Sequence, residues 1–433
     1  MRIVAVVAGV VLIVAGLPSV AAADPEDAVE YPAGSSANRA QGRAFDTCAA
    51  PSLSALRAWD GASPYETVNI YFGGVNRACR QRNLTSTWVS EATAMGWDLL
   101  PTYVGHQPSC VIGSKGRTFT ASTATLRGVS DGRDAISKAS ALGLRPGSAL
   151  YADIEHYNRR DSSCRTAVRR YVSSWTKALH NAGYLAGVYV HQNSGLRDLS
   201  DTYHSSNHVR PDAVWVARWD NDPSLTNWST APNWHWAYRA RVKQYRGDHY
   251  ERHGGVRINV DSNSINAPVA TVAQRYRVTS NTGLNSRSGP STSHSVKSGY
   301  ASGARVSVIC QTKGQTIGGT SVWNRLSNGT WVTDRYVSTP NRKGFSAGIP
   351  RCTYPAQITA SALNARTGPG VSHSTTGSPL PRGALAYIVC QDSGSKVESS
   401  RVWNKLVDGR WVSDYYVATR SDRGFSAPIP RCP

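Results

Sequence analysis

The stretch "GSALYADIEHY", Gly147 to Tyr157, decides the reading of the fold. An apolar run ends there in Asp153 and Glu155, and residues i and i+2 of a strand share a face, so two carboxylates crowd one small volume. Like charges that close are costly unless a substrate, a cation or a shared proton uses them. Around this strand the sequence supplies seven more: "AFDTC" at Ala44, "VNIYFGG" at Val68 and "DLLPTYVG" at Asp98 precede it, and "LAGVYVH" at Leu185, "AVWVARW" at Ala213, "VKQY" at Val242 and "INVD" at Ile258 follow. Helical patterns lie between them. In the clearest, Val168, Tyr171, Val172, Trp175 and Leu179 keep helical spacing, Asp161 or Ser162 can cap the start, and Gly183 stops it. Shorter patterns run from Ser86 to Met95 and from Asp131 to Leu142. Strands alternating with helices predict a parallel sheet, and eight of them predict an α/β fold closed as a (β/α)8 barrel.

In such a barrel the reactive groups sit at the C-terminal ends of the strands. The acids expected there are Asp46 on the first strand, Asp153 and Glu155 on the fourth, and Asp261 on the eighth. Closure makes the first and last strands neighbours, so all four converge on one mouth.

The segments "AFDTCAAPS", "YADIEHY", "VWVARW" and "INVDSN" resemble the exported glycoside-hydrolase-like barrel family of bacteria, related in fold to the lysozymes of glycosidase family 25. The resemblance covers about Gly42 to Asn266. It implies an acidic cleft and a peptidoglycan or polysaccharide substrate, with Asp46, Asp153, Glu155 and Asp261 carrying the cleft. In the last strand Asn259 stands where relatives often have Asp, so one carboxylate is missing. The constellation suits glycoside hydrolysis, in which a protonated carboxyl acts on the leaving oxygen and a second group stabilises the oxocarbenium-like state. Glu155 is the expected acid, its proton affinity raised by neighbouring Asp153, and Asp153 is expected to orient a substrate 2-acetamido group or the ring. Tyr103, Tyr189, Trp219 and Gln244 are candidates to line the sugar cleft, with barrel packing as the rival role. His106, His156 and His191 also follow strand ends, where rim hydrogen bonding is their ordinary use. The competing account of the acids is ion pairing, with Arg218 as a candidate partner, or a bound cation. There is no G-x-S-x-G, and no cofactor is implied.

The chain begins "MRIVAVVAGVVLIVAGLPSVAAADPEDA", one Arg followed by a short apolar run and small residues at Ala21 to Ala23. These are the features of a cleavable export signal rather than a membrane span, so no stable membrane insertion is expected and the mature protein is expected to be secreted, extracellular or wall-associated. The 8 cysteines suit an oxidising compartment. Cys48, Cys79, Cys110 and Cys164 show no zinc-ligand spacing, so no metal is expected. Of their three possible pairings, Cys48 with Cys79 and Cys110 with Cys164 is favoured, because each pair follows adjacent strands at the same barrel face.

The remaining cysteines recur with a duplication. Cys310 and Cys352 return as Cys390 and Cys432, "LNSRSGP" at Leu284 returns as "LNARTGP" at Leu363, and "VWNRLSNGTWVTDRYV" at Val322 returns as "VWNKLVDGRWVSDYYV" at Val402. Equal spacing in the two copies predicts bridges within each. Short β-branched and aromatic runs, with turns at Asn328-Gly329 and Asp408-Gly409, predict two small all-β barrels. These copies resemble bacterial SH3-type domains. Trp323, Trp331, Trp403 and Trp411 read either as barrel core or as an exposed platform for wall glycan or peptide, and Tyr336 and Tyr416 share the ambiguity.

Residues 276–433 hold 19 Lys and Arg against 6 Asp and Glu, so +13 of the formal charge of +20 lies on the repeats. A basic exported module concentrates on anionic wall polymers; export and the lack of any nucleic-acid-reading motif argue against nucleic acid. The expected organisation is an export signal at 1–23, a linker at 24–42, the barrel at 43–266, a linker at 267–275, and repeats at 276–353 and 354–433. The expected function is a secreted, monomeric glycan hydrolase targeted to peptidoglycan or a related wall polysaccharide by its repeats. The alternative is a non-catalytic wall- or polysaccharide-binding protein that keeps the cleft.

Overall fold

The computed structural model describes residues 38–113, 116–237, 239–346, 349–419, 421, 424–427 and 429–432. The expected export signal and most of the linker after it lie outside these residues.

Eight strands form the barrel: β1 (Asn38–Asp46), β2 (Tyr65–Gly73), β3 (Asp98–Tyr103), β4 (Ala149–Ile154), β5 (Leu185–His191), β6 (Ala213–Ala217), β7 (Arg241–His253) and β8 (Val256–Val269). They close in the order β1-β8-β7-β6-β5-β4-β3-β2. Every run expected as a strand lies in this sheet, but the fold is not a (β/α)8 barrel. The ladders from β1 through β2 to β7 are parallel, whereas β8 is antiparallel to both of its neighbours, β7 and β1. The reason is the connection: only Gly254 and Gly255 separate β7 from β8, with φ of +53° and +81°. A parallel return needs a crossover of about a dozen residues, while two residues at positive φ make a hairpin turn. The result is a mixed closed barrel.

Helices are correspondingly few. The described residues contain α1 (Leu53–Trp59), α2 (Ser86–Ala94), α3 (Ala124–Ala141), α4 (Ser162–Asn181) and the short α5 (Arg197–Asp201). In α4 the Asp161 carboxylate caps the start by accepting from the amides of Ser163 and Cys164, and Val168, Tyr171, Val172, Trp175 and Leu179 are buried. Inside the barrel and under its helices a continuous core runs from Phe45 and Trp59 through Tyr151 and Trp175 to Trp215.

The repeats are β units, and their sheets do not close as the expected small barrels. The first is a six-stranded sheet between Gln274–Arg277 and Trp331–Thr333; the second has a four-stranded sheet and a separate two-stranded pair. Their four tryptophans are core, none more than 8% exposed, which excludes the exposed-platform role for Trp323, Trp331, Trp403 and Trp411. The Trp323 and Trp403 indoles donate to the carbonyls of Gln315 and Ser395, so the polar edge is used internally as well. Each copy also buries one carboxylate: Asp334 accepts from Gln311, Asn324 and Thr339, and Asp414 from Gln391, Asn404 and Thr419. Cys310 is bridged to Cys352, Cys390 to Cys432, Cys48 to Cys79, and Cys110 to Cys164.

The second repeat is not separate from the barrel. Leu385 and Tyr387 belong to the barrel's own apolar core, and Arg239 pairs with Asp408 at 2.7 Å.

Candidate functional site

Asp46 and Asp261 face each other as direct partners across the β1–β8 ladder. The acid on β8 therefore reaches the mouth from within an antiparallel strand, not from a strand's C-terminal end. Like charges directly opposite on neighbouring strands destabilise a sheet, and the structure answers this with donors. The side-chain amide of Gln244, on β7, donates to Asp46 at 3.0 Å and to Asp261 at 3.0 Å. Asn263 donates to Asp46 at 2.7 Å and the Tyr71 hydroxyl at 3.1 Å. Even so, burial and the charge of Asp261 push the Asp46 carboxyl up to about 7. Burial also raises Asp261, although the backbone amide of Asp248 donates to it.

That amide arrives through an irregularity. The β7–β8 register shifts around Gly247 and Asp248, and Asp248 has φ of +39°. Bulges of this kind re-aim groups at barrel rims. A Cβ at Gly247 would meet the Trp219 ring at 2.4 Å, so only glycine lets the indole lie flat on the strand. Trp219 is 64% exposed, and its indole donates to the Gln244 carbonyl at 2.8 Å.

On β4, Asp153 is buried and Glu155 stands exposed on the cleft side of the strand end. Burial, then the charge of Glu155, holds the Asp153 carboxyl well above the usual carboxylate range. Burial raises Glu155 too, because the cleft walls crowd it, and a hydrogen bond from Asp153 partly offsets the rise. Of the two, Asp153 lies deeper and is the more strongly raised. The sequence predicted a rise on Glu155 from the charge of neighbouring Asp153; the rise comes from burial instead, and Asp153 is raised as well. Gln107 fixes this strand end, donating to the Asp153 carbonyl at 2.7 Å and accepting from the Glu155 amide at 2.9 Å.

The strand order fixes how these groups stand around the mouth. In a closed ring of eight, β4 lies opposite β8, and β6 lies opposite β2. The carboxyls of β4 thus face those of β8 and β1 along one diameter. Trp219 follows β6 and Arg77 follows β2, the strands of the other diameter. All of them line one cleft of about 670 Å³.

Residues 57–265 match the family model of the Rv2525c-like, glycoside hydrolase-like domain. Asp153, Glu155 and Asp261 lie inside the match and Asp46 outside it. Among solved structures, the chain is similar to the Tat-secreted protein Rv2525c of Mycobacterium tuberculosis, bound to L-tartrate, at 16% identity, with 52% of this chain and 96% of that one covered and a TM-score of 0.37. It is also similar to the catalytic domain of endolysin ply40 from bacteriophage P40 of Listeria monocytogenes, at 18% identity over 52% and 93% of the two chains, TM-score 0.33. A third is the modular autolysin LytC of Streptococcus pneumoniae in complex with a synthetic peptidoglycan ligand, at 14% identity over 51% and 46%, TM-score 0.32. No curated protein matches the sequence.

The other expected site residues divide between the core and the cleft. Tyr103 is core: it is 2% exposed, packs against Phe72 and Trp175, and donates to Asp134 on α3. Tyr189 donates to the Gln244 carbonyl at 3.1 Å, so with Trp219 it orients that amide. Gln244 is buried between the acids instead of lining the sugar path. His106 bonds Asp131, and His156 lies against His191 with both lowered by burial. Arg218 pairs with Asp220, and among the described residues no ion pair reaches Asp46, Asp153, Glu155 or Asp261. Among the described residues, too, no group of three or more His, Cys, Asp or Glu is arranged to hold a metal ion. Asn259 donates to Asp248 at 3.0 Å, where an Asp would add a like charge. Sequence reasoning missed Gln107, Tyr71, Asn263 and Asp248. The glycine before Asp248 inside a strand was the one local signal, since it marks a bulge.

Proposed function

We propose that the protein is an exported glycan hydrolase that acts on peptidoglycan or a related wall polysaccharide. The observation that carries this reading is that two carboxyl sets, Asp153 with Glu155 and Asp46 with Asp261, line one open cleft and that burial raises all four. A glycosidase needs a carboxyl that is still protonated near neutral pH and a negative group for the oxocarbenium-like charge. Glu155 faces the cleft, so it delivers the proton to the leaving oxygen, and Asp153 beneath it resupplies that proton or holds a 2-acetamido group. Asp46 and Asp261 share a proton and one negative charge on the far side, where positive charge on the ring would develop. Gln244 and Gln107 keep the two sets in place. The four disulfides fit an oxidising compartment. The basic repeats act as electrostatic anchors to anionic wall polymers.

The test is release of new reducing ends from purified peptidoglycan. Glu155→Gln keeps shape and removes the transferable proton, so activity should fall about 10²–10⁴-fold with glycan binding retained. Wild-type turnover in that variant would remove Glu155 from the acid role. Binding without any cleavage by the wild type would mean that the cleft only holds glycan.

A further inference from the structure

Among the described residues, Arg77 is the cationic residue lining the cleft, and none of their ion pairs joins it to a carboxylate. This is unexpected in a cleft that also holds Asp46, Asp153, Glu155, Asp248 and Asp261. Its own hydrogen bond is a long one, to the Tyr71 carbonyl at 3.5 Å.

The backbone around Arg77 is held firmly. On one side, the Asn76 amide donates to the carbonyls of Gly105 and Arg117 at 2.8 Å each, and its carbonyl accepts from the Arg117 amide at 2.8 Å. Gly74, at φ +107°, lies so close to the next loop that a Cβ would meet the Val104 carbonyl oxygen at 2.0 Å. On the other side, Cys79 is bridged to Cys48, the second residue after Asp46. The guanidinium is thus presented from a pinned loop, while its donors are left for something that enters the cleft. A planar guanidinium recognises carboxylates with paired donors.

Resting on the glycan reading, we propose that Arg77 is a specificity residue that binds a carboxylate carried by the glycan, so that the cleft selects acidic sugars over neutral ones. The ring geometry supports the placement. Trp219, which follows β6 and packs on Gly247 of β7, offers an exposed indole face in the same cleft. Sugar rings present apolar faces to such indoles. A chain with one residue on Trp219 and the next acidic residue at Arg77 lays its linking oxygen between Glu155 and the Asp46–Asp261 pair. Burial raises the Asp46 and Asp153 carboxyls, which weakens the negative field that the guanidinium meets.

The experiment uses two disaccharides that differ only in a 3-O-lactyl ether, which carries the carboxylate: N-acetylglucosaminyl-N-acetylmuramic acid and N,N′-diacetylchitobiose. Each is titrated by NMR into the full-length Glu155→Gln protein and into the same protein carrying Arg77→Gln or Arg77→Lys. The acidic disaccharide should bind about tenfold more tightly than the neutral one, the scale of one charge-assisted pair. Arg77→Gln should abolish the preference without weakening the neutral ligand, and Arg77→Lys should keep part of it. Unchanged melting and intact bridges would show that Arg77→Gln still folds; if it does not, the Arg77→Lys arm decides, since a preference unchanged there overturns paired recognition. Equal binding of the two disaccharides by the Glu155→Gln protein overturns the proposal and leaves the glycan reading standing. Failure of both to bind overturns both.

Discussion

Asp46 and Asp98 allow the shared-proton account of the mouth to be tested against an internal control. Burial pushes each carboxyl from 3.8 to about 7. Asp46 stands at the mouth, whereas Asp98 begins β3 at the other end of the barrel and is bonded to Asn38 at 3.0 Å. Below about pH 4 the folded and unfolded chains both keep these protons. Between about pH 4 and 7 the unfolded chain ionises and the folded one does not, so stability falls as pH rises through that window. At about 1.36 kcal/mol for each tenfold change in proton affinity, each site removes up to about 4 kcal/mol by pH 8. Asp46→Asn should abolish its share of the slope, whatever the substitution costs at a single pH. Asp98→Asn should do the same, and the two should add, since the sites are far apart. Urea unfolding at pH 4.5, 6 and 8, followed by tryptophan fluorescence, measures the slope. Cleavage separates the pair: Asp46→Asn should lose it and Asp98→Asn should keep it. If Asp46→Asn lost as much stability between pH 4.5 and 8 as the wild type, Asp46 would not hold a proton near neutrality, and the account of the mouth would go with it.

The repeats carry two further expectations. Trp323→Ala or Trp403→Ala should destabilise its own repeat by about 3–5 kcal/mol, the cost of emptying a buried indole site, and denaturation of the isolated tandem repeats measures this; a stable variant that merely lost wall binding would restore the exposed-platform role. Wall retention by the tandem repeats should weaken between about 0.05 and 0.5 M salt, since the Debye length shrinks several-fold, and salt-insensitive attachment would reject the electrostatic anchor. A chain ending at Val272 bares the barrel face that Leu385 and Tyr387 cover, so its barrel should melt several degrees lower than in the full chain; an unchanged melting temperature would show that the docking contributes nothing.

Much of this architecture is legible in the sequence because local pattern decides it. The eight apolar runs, the cap at Asp161, the duplication and its cysteine spacing all act over short distances. Strand direction is not local in the same way. The rule that strands alternating with helices make a parallel barrel holds for six successive crossovers here and fails at the seventh. There the pair Gly254-Gly255 makes a hairpin turn in place of a crossover. The tryptophans of the repeats show another limit: a W-x7-W-V pattern fits a core and an exposed platform equally well, and only the surrounding chain chooses. Gln107, Gln244 and Asn263 mark a third limit, since an amide's meaning lies in which distant groups it bonds. Asp46 and Asp153 were legible as candidates, but the seating of each proton depended on depth below the surface.

The antiparallel last strand is also what builds the second carboxyl set. Had β8 run parallel to β1, Asp261 would sit at a strand end followed by a loop, with no fixed partner. Running the other way, it lies in register opposite Asp46, and the same strand brings Asn263 to within 2.7 Å of Asp46. The hairpin then adds what a crossover could not. Because β7 returns directly beside β8, Gln244 pairs opposite Asn263 and its amide spans both acids. The bulge at Gly247 and Asp248 supplies one more donor to Asp261 and the flat bed for Trp219. A pair of acids that a sheet would ordinarily reject is held by four neighbouring donors, from Gln244, Asn263, Tyr71 and the Asp248 amide. The departure from the alternating fold and the chemistry at the mouth therefore have one cause, the two-residue turn between β7 and β8.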